Sequence, residues 1–459
     1  MVVISIIMKS SSNVDGIGRR RGQSSTTKNV STSILIAVGA FVLVSALLFI
    51  LSVNLSSIKD NDATTYEKDA PPASTGSIRN FQNKLRNNEP SSNADEFPIW
   101  GEIMRGEVHL VNIDASGIRT TKDGYIGAKA VFCKLDWDAY KKDPPSLPMF
   151  RFLVSQSGCE GRRNQIVVDL AQITEKTKAY DKSLKLQNRS DVRAMDPTGF
   201  VFHESRVGST LVANSLTAMN PAANRVYSES NPINNALKSD NPQLFRDVVY
   251  LMGRTNRIEE VNMFFKVSSI GSKRISVMRE AFPETPWIFV YREPVQTMMS
   301  HLDPAKVDVQ KNGRIMAVCT RARRSPPRDL YDLVEQQGRR VDELSDQEFC
   351  AAHLASLCES ALRELKKSNH HGKAVEYDGL IDKLLDDIIP NHFGVTVDDK
   401  ARQRVFEVSK TYSKAKTRSV DVNWVEDSEK KEAHSTSEIR GASELFLSQS
   451  YTELKKYSV

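Results

Sequence analysis

The stretch Phe200–Leu216 reads FVFHESRVGSTLVANSL, and it decides the predicted fold. Its first residues form an apolar run that is typical of a buried strand. A short polar turn follows, and a helical pattern begins directly after it. A helix start offers unpaired N–H groups and a partial positive charge, which attract phosphate. The sequence therefore predicts an anion-binding turn, with a plain serine helix cap as the alternative; the candidate groups are Arg206, Gly208, Ser209 and Thr210.

This turn differs from the phosphate loop of ATP-binding proteins, which reads GxxxxGK[ST]. When the second glycine of that pattern is aligned with Gly208, its first glycine falls on His203 and its lysine on Ser209. The basic residue, Arg206, instead precedes the glycine. We therefore do not expect a nucleotide kinase or an ATPase. Gly208 would let the backbone approach a phosphate closely, and Arg206 could pair with the phosphate oxygens.

Strand-like and helical runs alternate from residue 196 onward. The strand-like runs are GFVFH, RVYSE, MFFKVSS, WIFVYRE and KAVEYDGL. The helical runs between them include PQLFRDVVYLMG, PVQTMMSHL and CAAHLASLCESALRELKK. Such alternation is typical of an α/β fold in which helices flank a parallel sheet. We predict an α/β domain of this kind over residues 191–459.

The region before this domain has a different pattern. Short apolar runs that are rich in β-branched and aromatic residues alternate with turn-forming residues: GEVHLVNI, YIGAKAVFCKLDW, PMFRFLVS and NQIVVDL. This pattern predicts a small β-rich accessory region over residues 96–190.

One segment near the N-terminus, Ile34–Leu51 (ILIAVGAFVLVSALLFIL), carries no charged residue. With its flanks it is long enough to cross a bilayer as a helix. Arginines precede it, so the positive-inside rule keeps the N-terminus in the cytosol. We predict a cytosolic tail at 1–33, a transmembrane anchor at 34–53 and a flexible stem at 54–95. A cleaved signal peptide is the alternative, but no small-x-small cleavage site directly follows the apolar run.

This topology places the C-terminal part in the lumen of the secretory pathway, where disulfides are stable. The chain has five cysteines, and we expect a disulfide between Cys133 and Cys159, which flank strand-like runs of one region. Glycosylation sequons at Asn54 and Asn188 would lie on the lumenal side. The net charge of +6 comes from dispersed basic residues, which favours anionic partners and not nucleic acid.

A second motif is WIFVYREPVQTMMS, in which a strand-like run ends in Arg292 and a helical run carries Ser300. Arg292 lies 86 positions after Arg206 (292 minus 206). Pro294 suits the first position of a helix, and an arginine beside that helix start can pair with a phosphate dianion. The alternative is a surface ion pair between Arg292 and Glu293 or another carboxylate.

Together, SRVGSTL and REPVQTMMS resemble the 5′-phosphosulfate loop and the 3′-phosphate motif of sulfotransferases that use 3′-phosphoadenosine 5′-phosphosulfate (PAPS). AVEYDGLIDKLL is similar to a later element of this family, with Asp378 where the family has glutamate. The resemblance covers roughly residues 196–415. It implies the P-loop-like sulfotransferase fold, PAPS as the donor and no metal. It also implies that the cofactor is bound by Arg206, Val207, Gly208, Ser209, Thr210, Leu211, Arg292 and Ser300.

The resemblance also implies catalytic roles, because a base must take the acceptor proton and cations must stabilise the leaving group. Arg206 is the candidate on the leaving-group side. Glu229 in RVYSESNPI is similar to the base of membrane-bound relatives. Lys266 resembles the lysine that precedes the base histidine of soluble relatives, a histidine that Ser268 replaces here. We interpret His203 as a packed or hydrogen-bonded residue.

The predicted function is transfer of a sulfuryl group from PAPS to a hydroxyl of a glycan or protein acceptor at the Golgi membrane. One alternative is a Golgi type II glycosyltransferase that uses Asp136-Trp137-Asp138 as a metal site. Another is a non-catalytic binding module on a sulfotransferase fold, because the C-terminal basic loop of soluble relatives is missing. YSKAKTRS could replace that loop, and RARRS could face an anionic acceptor. The sequence indicates no oligomeric state.

Overall fold

The structure of the protein is a computed structural model that describes residues 98–122, 124–303, 308–310, 313–367, 371–410 and 428–459. The chain divides into two units, Met1–Asn88 and Glu89–Val459, and the described residues belong to the second unit. The predicted cytosolic tail, transmembrane anchor and stem lie outside the described residues. Across the described ranges, no helix combines the length and the apolarity that a bilayer crossing requires.

The accessory region contains a three-stranded antiparallel sheet, in the order His109–Asp114, Lys129–Cys133, Ile166–Asp169, and a separate hairpin of Arg119–Thr121 and Gly124–Ile126. Its strands are β1 (His109–Asp114), β2 (Arg119–Thr121), β3 (Gly124–Ile126), β4 (Lys129–Cys133) and β5 (Ile166–Asp169). Its helices are α1 (Pro98–Met104), α2 (Trp137–Lys142), α3 (Phe150–Gln156) and α4 (Leu170–Leu186).

The prediction of strands in this region is correct for three of the four apolar runs. The fourth, PMFRFLVS, forms helix α3 instead of a strand. Its buried side chains, Phe150 and Leu153, are three residues apart, which is a helical spacing, and a short apolar run does not distinguish the two structures. The 17-residue helix α4 likewise makes the region mixed α/β and not β-rich.

The predicted alternation of strands and helices in the C-terminal part is confirmed. The strands are β6 (Arg193–Ala194), β7 (Gly199–His203), β8 (Asn224–Ser228), β9 (Arg254–Thr255), β10 (Asn262–Lys266), β11 (Trp287–Tyr291), β12 (Asp308–Val309), β13 (Ile315–Met316) and β14 (Gly372–Glu376). The helices are α5 (Ser209–Met219), α6 (Asn231–Lys238), α7 (Pro242–Met252), α8 (Ile275–Ala281), α9 (Pro294–Leu302), α10 (Arg328–Gln336), α11 (Asp346–Leu365), α12 (Leu380–Lys383), α13 (Asp399–Ser409), α14 (Ser428–Ala433), α15 (Ser437–Phe446) and α16 (Ser448–Lys455). A π-helical segment, Leu384–His392, continues α12.

Five strands form the predicted parallel sheet, in the order β14-β11-β7-β10-β8. The chain passes from β7 to β8 at one edge, returns to β10, and then crosses to β11 and β14 on the other side of β7. The strand order therefore reverses next to β7. In α/β sheets, ligands bind outside the carboxyl ends of the strands at such a point.

Helices cover both faces of the sheet, as expected for strands that are apolar along their whole length. Every residue of β7 is buried. Val201 packs in one core with Val212 of α5. Its neighbour Phe200 points to the opposite face, where it stacks on Phe265 and contacts Phe245 of α7. The sheet is thus a rigid central layer from which loops extend at the carboxyl edge.

The described residues contain two disulfides. Cys133 pairs with Cys159, which confirms the predicted disulfide, and Cys319 pairs with Cys350 at the start of α11. Cys358, in the same helix, is a buried free thiol. The second disulfide attaches the segment after β13 to the core.

A buried charge network joins the accessory region to the sheet. Glu260 accepts hydrogen bonds from Lys141 of α2 (Nζ to Oε1, 2.5 Å), from Arg225 of β8 and from Thr255 of β9. Burial by itself raises the pKa of Glu260, but Arg225 and Lys141 outweigh burial and leave the pKa lowered. Glu260 is therefore ionised in the folded protein, and its two cationic partners depend on its charge.

We expect Glu260→Gln to lower the free energy of unfolding by about 3 kcal/mol or more, because Lys141 and Arg225 would stay buried without their counter-charge. Urea unfolding followed by tryptophan fluorescence measures this loss. Glu453→Gln is the matched control, since its partner Lys456 is exposed, and it should leave the unfolding midpoint unchanged. Equal midpoints for the two variants would show that the network does not stabilise the fold.

Candidate active site

The predicted site residues lie at one edge of the parallel sheet. Arg206 follows β7, Glu229 follows β8, Lys266 ends β10 and Arg292 follows β11. These four strands are consecutive in the sheet, in the order β11-β7-β10-β8. Because the carboxyl ends of parallel strands share one edge, the topology brings together positions that are up to 86 residues apart in sequence (292 minus 206).

The turn after β7 has the geometry of a tight strand-to-helix connection. Gly208 has φ 78°, and a Cβ atom at this position would lie 2.6 Å from Cε2 of Tyr377. Only glycine fits both the conformation and the space. Ser209 and Thr210 begin α5, and both are buried. Among the described residues, Thr210 Oγ1 has no hydrogen-bond partner, so a polar atom is available at the helix start.

Two other predicted cofactor-binding residues have side chains directed into the core. Val207 is fully buried in the cluster that includes Val201 and Val212, and Leu211 packs against the same cluster. Their side chains therefore cannot contact an anion in the turn. If they take part in binding, they do so through their backbone N–H groups, which is the usual manner at a helix start.

Backbone strain marks two of the predicted catalytic residues. Within the described ranges, four residues other than glycine have a positive φ: Asn188, Arg206, Glu229 and Asp240. Asparagine and aspartate adopt this conformation readily, whereas arginine and glutamate do not. Arg206 (φ 61°) and Glu229 (φ 53°) are therefore held in unfavourable conformations, each at a cost of about 1 to 2 kcal/mol. Strain of this kind concentrates at functional sites.

Glu229 and Lys266 form an ion pair at the ends of β8 and β10. The Glu229 backbone N–H donates to the Lys266 carbonyl oxygen at 2.6 Å, which fixes the two residues together. The Lys266 side chain is 1% exposed, whereas that of Glu229 is 22% exposed. Burial lowers the pKa of Lys266, and Glu229 opposes this effect. The pair therefore presents a carboxylate to solvent with a buried cation behind it.

His203, at the end of β7, lies next to this pair. Its Nε2 is 3.9 Å from Oε1 of Glu229, and the residue is buried. Its backbone N–H donates to Ser272 Oγ, which donates in turn to the His203 carbonyl oxygen. His203 is thus a packed residue whose backbone is hydrogen-bonded, as the sequence indicated. Its ring lies beside the Glu229 carboxylate.

Arg292, which precedes α9, and Ser300, which lies within it, both form a hydrogen bond with Gln296 of this helix. The Nε of Arg292 donates to Oε1 of Gln296 at 2.8 Å, and Ser300 Oγ donates to the Gln296 carbonyl oxygen at 2.9 Å. Glu293 caps α9 by accepting from two backbone N–H groups of its first turn, so its carboxylate is engaged with the helix start. A strand-end arginine beside a capped helix start is the arrangement that the sequence motif predicted.

Tyr377 connects this arginine to the turn after β7. The Arg292 guanidinium lies 4.0 Å from the centre of the Tyr377 ring, and the same ring contacts Gly208. The Tyr377 backbone N–H donates to the Tyr291 carbonyl oxygen at 2.8 Å. The AVEYDGL segment resembles a family element by sequence, but its pattern does not predict a role for this tyrosine. Its ring joins the two candidate phosphate sites.

Glu204 is a second residue that the sequence analysis missed. It is 2% exposed, its backbone N–H donates to the Val290 carbonyl oxygen at 3.0 Å, and its carboxyl group accepts from the Arg292 backbone N–H. Burial raises its pKa from 4.5 to about 8, against the effect of that hydrogen bond. Glu204 thus ties the turn to Arg292 through the backbone. Because Glu204 lies in a polar turn of the sequence, its burial could not be predicted.

Other motifs singled out in the sequence have structural contacts. Asp136 caps helix α2 with its side chain, and Asp138 pairs with Arg257, so the DWD segment is a helix start. In RARRS, Arg323 donates to backbone carbonyl oxygens just before α11. YSKAKTRS, at 412–419, lies outside the described residues.

The turn after β7 fits the 5′-phosphate end of PAPS on two observations. The unpartnered Thr210 Oγ1 can donate to a phosphate oxygen. The turn also leads directly into α5, and the first backbone N–H groups of a helix have no partner within the helix. Arg206 is exposed beside this turn, where it can supply positive charge.

No protein-family model matches this chain, and no curated protein matches it. Three of the solved structures to which it is similar are sulfotransferases, the family that the sequence motifs resemble. The sulfotransferase domain from the curacin biosynthetic pathway has 10% identity and a TM-score of 0.27, covering 46% of this chain and 78% of that chain. The mouse sulfotransferase SULT7A1 complexed with PAP has 13% identity and a TM-score of 0.30, with coverages of 58% and 90%. STF1 from Mycobacterium tuberculosis H37Rv has 14% identity and a TM-score of 0.25, with coverages of 73% and 93%.

We expect Glu204→Gln to remove a pH dependence of stability. Native Glu204 keeps its proton up to about pH 8, whereas the unfolded chain releases it near 4.5. The native state therefore binds more protons between these values, and stability falls as the pH rises through this window. Across this window, the wild type should lose up to about 5 kcal/mol of its free energy of unfolding. The Glu204→Gln variant should not show this loss.

Urea unfolding at several pH values between about 5 and 9 measures this difference. Glu335→Gln, which changes an exposed glutamate on α10, is the control and should follow the wild type. If Glu204→Gln also follows the wild type across the range, then Glu204 is not buried in protonated form.

Proposed function

We propose that this chain is a sulfotransferase that moves a sulfuryl group from PAPS to an acceptor hydroxyl. The observation that carries the proposal is the placement of Arg206, Glu229, Lys266 and Arg292 at the carboxyl ends of four consecutive strands. Two of these residues also have a strained backbone. One edge of the sheet thus carries cations that could bind a phosphorylated donor and a carboxylate that could accept a proton from the acceptor.

The two ends of PAPS would be bound by different parts of this edge. The turn with Arg206, Gly208 and Thr210 would hold the 5′-phosphosulfate end, and Arg292 with Ser300 would hold the 3′-phosphate. When bound, PAPS supplies a sulfuryl group whose bond to the 5′-phosphate oxygen breaks as an acceptor oxygen bonds to sulfur. The positive charge of Arg206 and of the α5 helix start would stabilise the negative charge that develops on the leaving 5′-phosphate.

Glu229 is the proposed base. Its carboxylate is partly exposed, and the ion pair with the adjacent Lys266 ammonium holds it in place. Glu229 would accept the proton of the acceptor hydroxyl, which makes the oxygen a better nucleophile. Lys266 would act as a positioning residue, because its amino group is buried behind the carboxylate.

The acceptor is a hydroxyl of a glycan or protein, and the proposed location is the Golgi membrane. The location is supported by the apolar N-terminal segment of the sequence, and the Cys133–Cys159 and Cys319–Cys350 disulfides add to this support, since such bonds persist in oxidising compartments.

We expect Glu229→Gln to lower the rate of sulfate transfer from labelled PAPS by about 100-fold or more, because general base catalysis is lost. The assay measures transfer to a mixed pool of glycan and peptide acceptors. Binding of adenosine 3′,5′-bisphosphate should be retained, since the residues proposed to bind the donor are all unchanged in this variant.

Asp240→Asn is the matched control, because Asp240 also has a positive φ (56°) but is exposed at the end of α6. It should transfer sulfate at the wild-type rate. Nucleotide binding without any transfer by the wild type would favour the non-catalytic binding module. Full activity of Glu229→Gln would exclude Glu229 as the base.

A further inference from the structure

A short segment of the accessory region, Pro148–Phe152, reaches the proposed base. Ser228 Oγ, at the end of β8, donates to the Pro148 carbonyl oxygen at 2.9 Å. The Met149 Sδ lies 3.7 Å from Ser228 Oγ and 4.0 Å from Lys266 Nζ. Because Lys266 pairs with Glu229, this segment lines the space beside the base.

The segment ends in an exposed cation and an exposed ring. The Arg151 guanidinium lies 4.8 Å from the centre of the Phe152 ring, and Phe152 is 41% exposed although it is a large apolar residue. Within the described ranges, Arg151 pairs with no carboxylate. Burial lowers the pKa of Lys266, Glu229 opposes this effect, and the charge of Arg151 adds a smaller lowering, so Arg151 lies within electrostatic reach of the Glu229–Lys266 pair. Because Glu229 already balances the charge of Lys266, an anion supplied from outside would balance the charge of Arg151.

Apart from Met149, the immediate surroundings of Glu229 are polar. Lys266 and His203 face its carboxylate, Asn234 Nδ2 donates to its carbonyl oxygen at 3.3 Å, and Ser228 precedes it. Such surroundings suit an acceptor that is rich in hydroxyl groups better than the apolar ring of a tyrosine, which needs an apolar slot. A saccharide also fits Phe152, because the C–H face of a sugar ring packs on an aromatic ring.

We propose that Arg151 and Phe152 form an acceptor subsite for an anionic saccharide. This inference rests on the proposed function. Arg151 pairs with a carboxylate or sulfate group of the saccharide, and Phe152 packs against a sugar ring, so that a hydroxyl of the neighbouring sugar faces Glu229. The accessory region thereby selects the acceptor, while the sheet edge holds the donor and the base.

The test compares three saccharide probes with the full-length protein in detergent micelles and labelled PAPS. An unsulfated chondroitin oligosaccharide offers carboxylates only, a sulfated galactan oligosaccharide offers sulfates only, and its desulfated form is neutral. We expect one or both anionic probes to be sulfated with a much lower KM than the neutral probe. The anionic probe that is preferred identifies the group that Arg151 binds.

For the preferred probe, Arg151→Ala should raise KM about 10-fold or more with little change in kcat, because a charge-assisted contact of the ground state is lost. Calorimetry in the presence of adenosine 3′,5′-bisphosphate should show the same loss in saccharide affinity. Arg151→Lys should recover part of it. Arg163→Ala, which removes an exposed arginine of the same region, is the matched control and should bind like the wild type.

Three results would overturn the inference: preference for the neutral probe, sulfation of an acidic tyrosine peptide but of no saccharide, or equal effects of Arg151→Ala and Arg163→Ala. In each case, wild-type binding of adenosine 3′,5′-bisphosphate would leave the proposed donor site intact. A wild-type protein that binds no adenosine 3′,5′-bisphosphate would instead contradict the proposed function, and the inference with it.

Discussion

The ring of Tyr377 connects the two halves of the proposed donor site. It contacts Gly208 so closely that a Cβ there would clash, and it lies under the guanidinium of Arg292. A guanidinium over an aromatic face is held by a cation–π contact of roughly 1 to 2 kcal/mol when it is desolvated. The position of Arg292 relative to the turn is therefore set by one side chain that follows a third strand, β14. Glu204 adds a second connection through the Arg292 backbone.

This arrangement depends on the order of strands in the sheet. Because the connections from the neighbouring strands β7 and β11 run in opposite directions, the loops at the carboxyl edge separate there and leave room for a ligand. The strain at Arg206 and Glu229 is tolerated because the surrounding structure is buried and well bonded. The Ser228–Pro148 contact holds the accessory region against this carboxyl edge. The Glu260 network attaches the same region at the opposite edge, near the amino ends of β8 and β10.

The sequence predicted the parts of this structure that have a local signature. The five strands of the parallel sheet are short apolar runs with polar ends. The pairing of Cys133 with Cys159 followed from their place in one region. The segment of helix α3 was wrongly predicted as a strand, since seven residues with two buried side chains fit both the helical and the strand period. The roles of Tyr377, Glu204 and Pro148–Phe152 could not be predicted, because each depends on contacts between segments that are distant in sequence.

The central claim is that Arg206 and Arg292 bind opposite ends of one nucleotide. Calorimetry with adenosine 3′,5′-bisphosphate and with adenosine 5′-phosphate tests it directly. We expect Arg292→Met to weaken binding of the bisphosphate about 10-fold or more and to leave binding of adenosine 5′-phosphate unaffected, whereas Arg206→Ala should weaken binding of both ligands. Equal losses for the two ligands in Arg292→Met, or no loss in either variant, would contradict it.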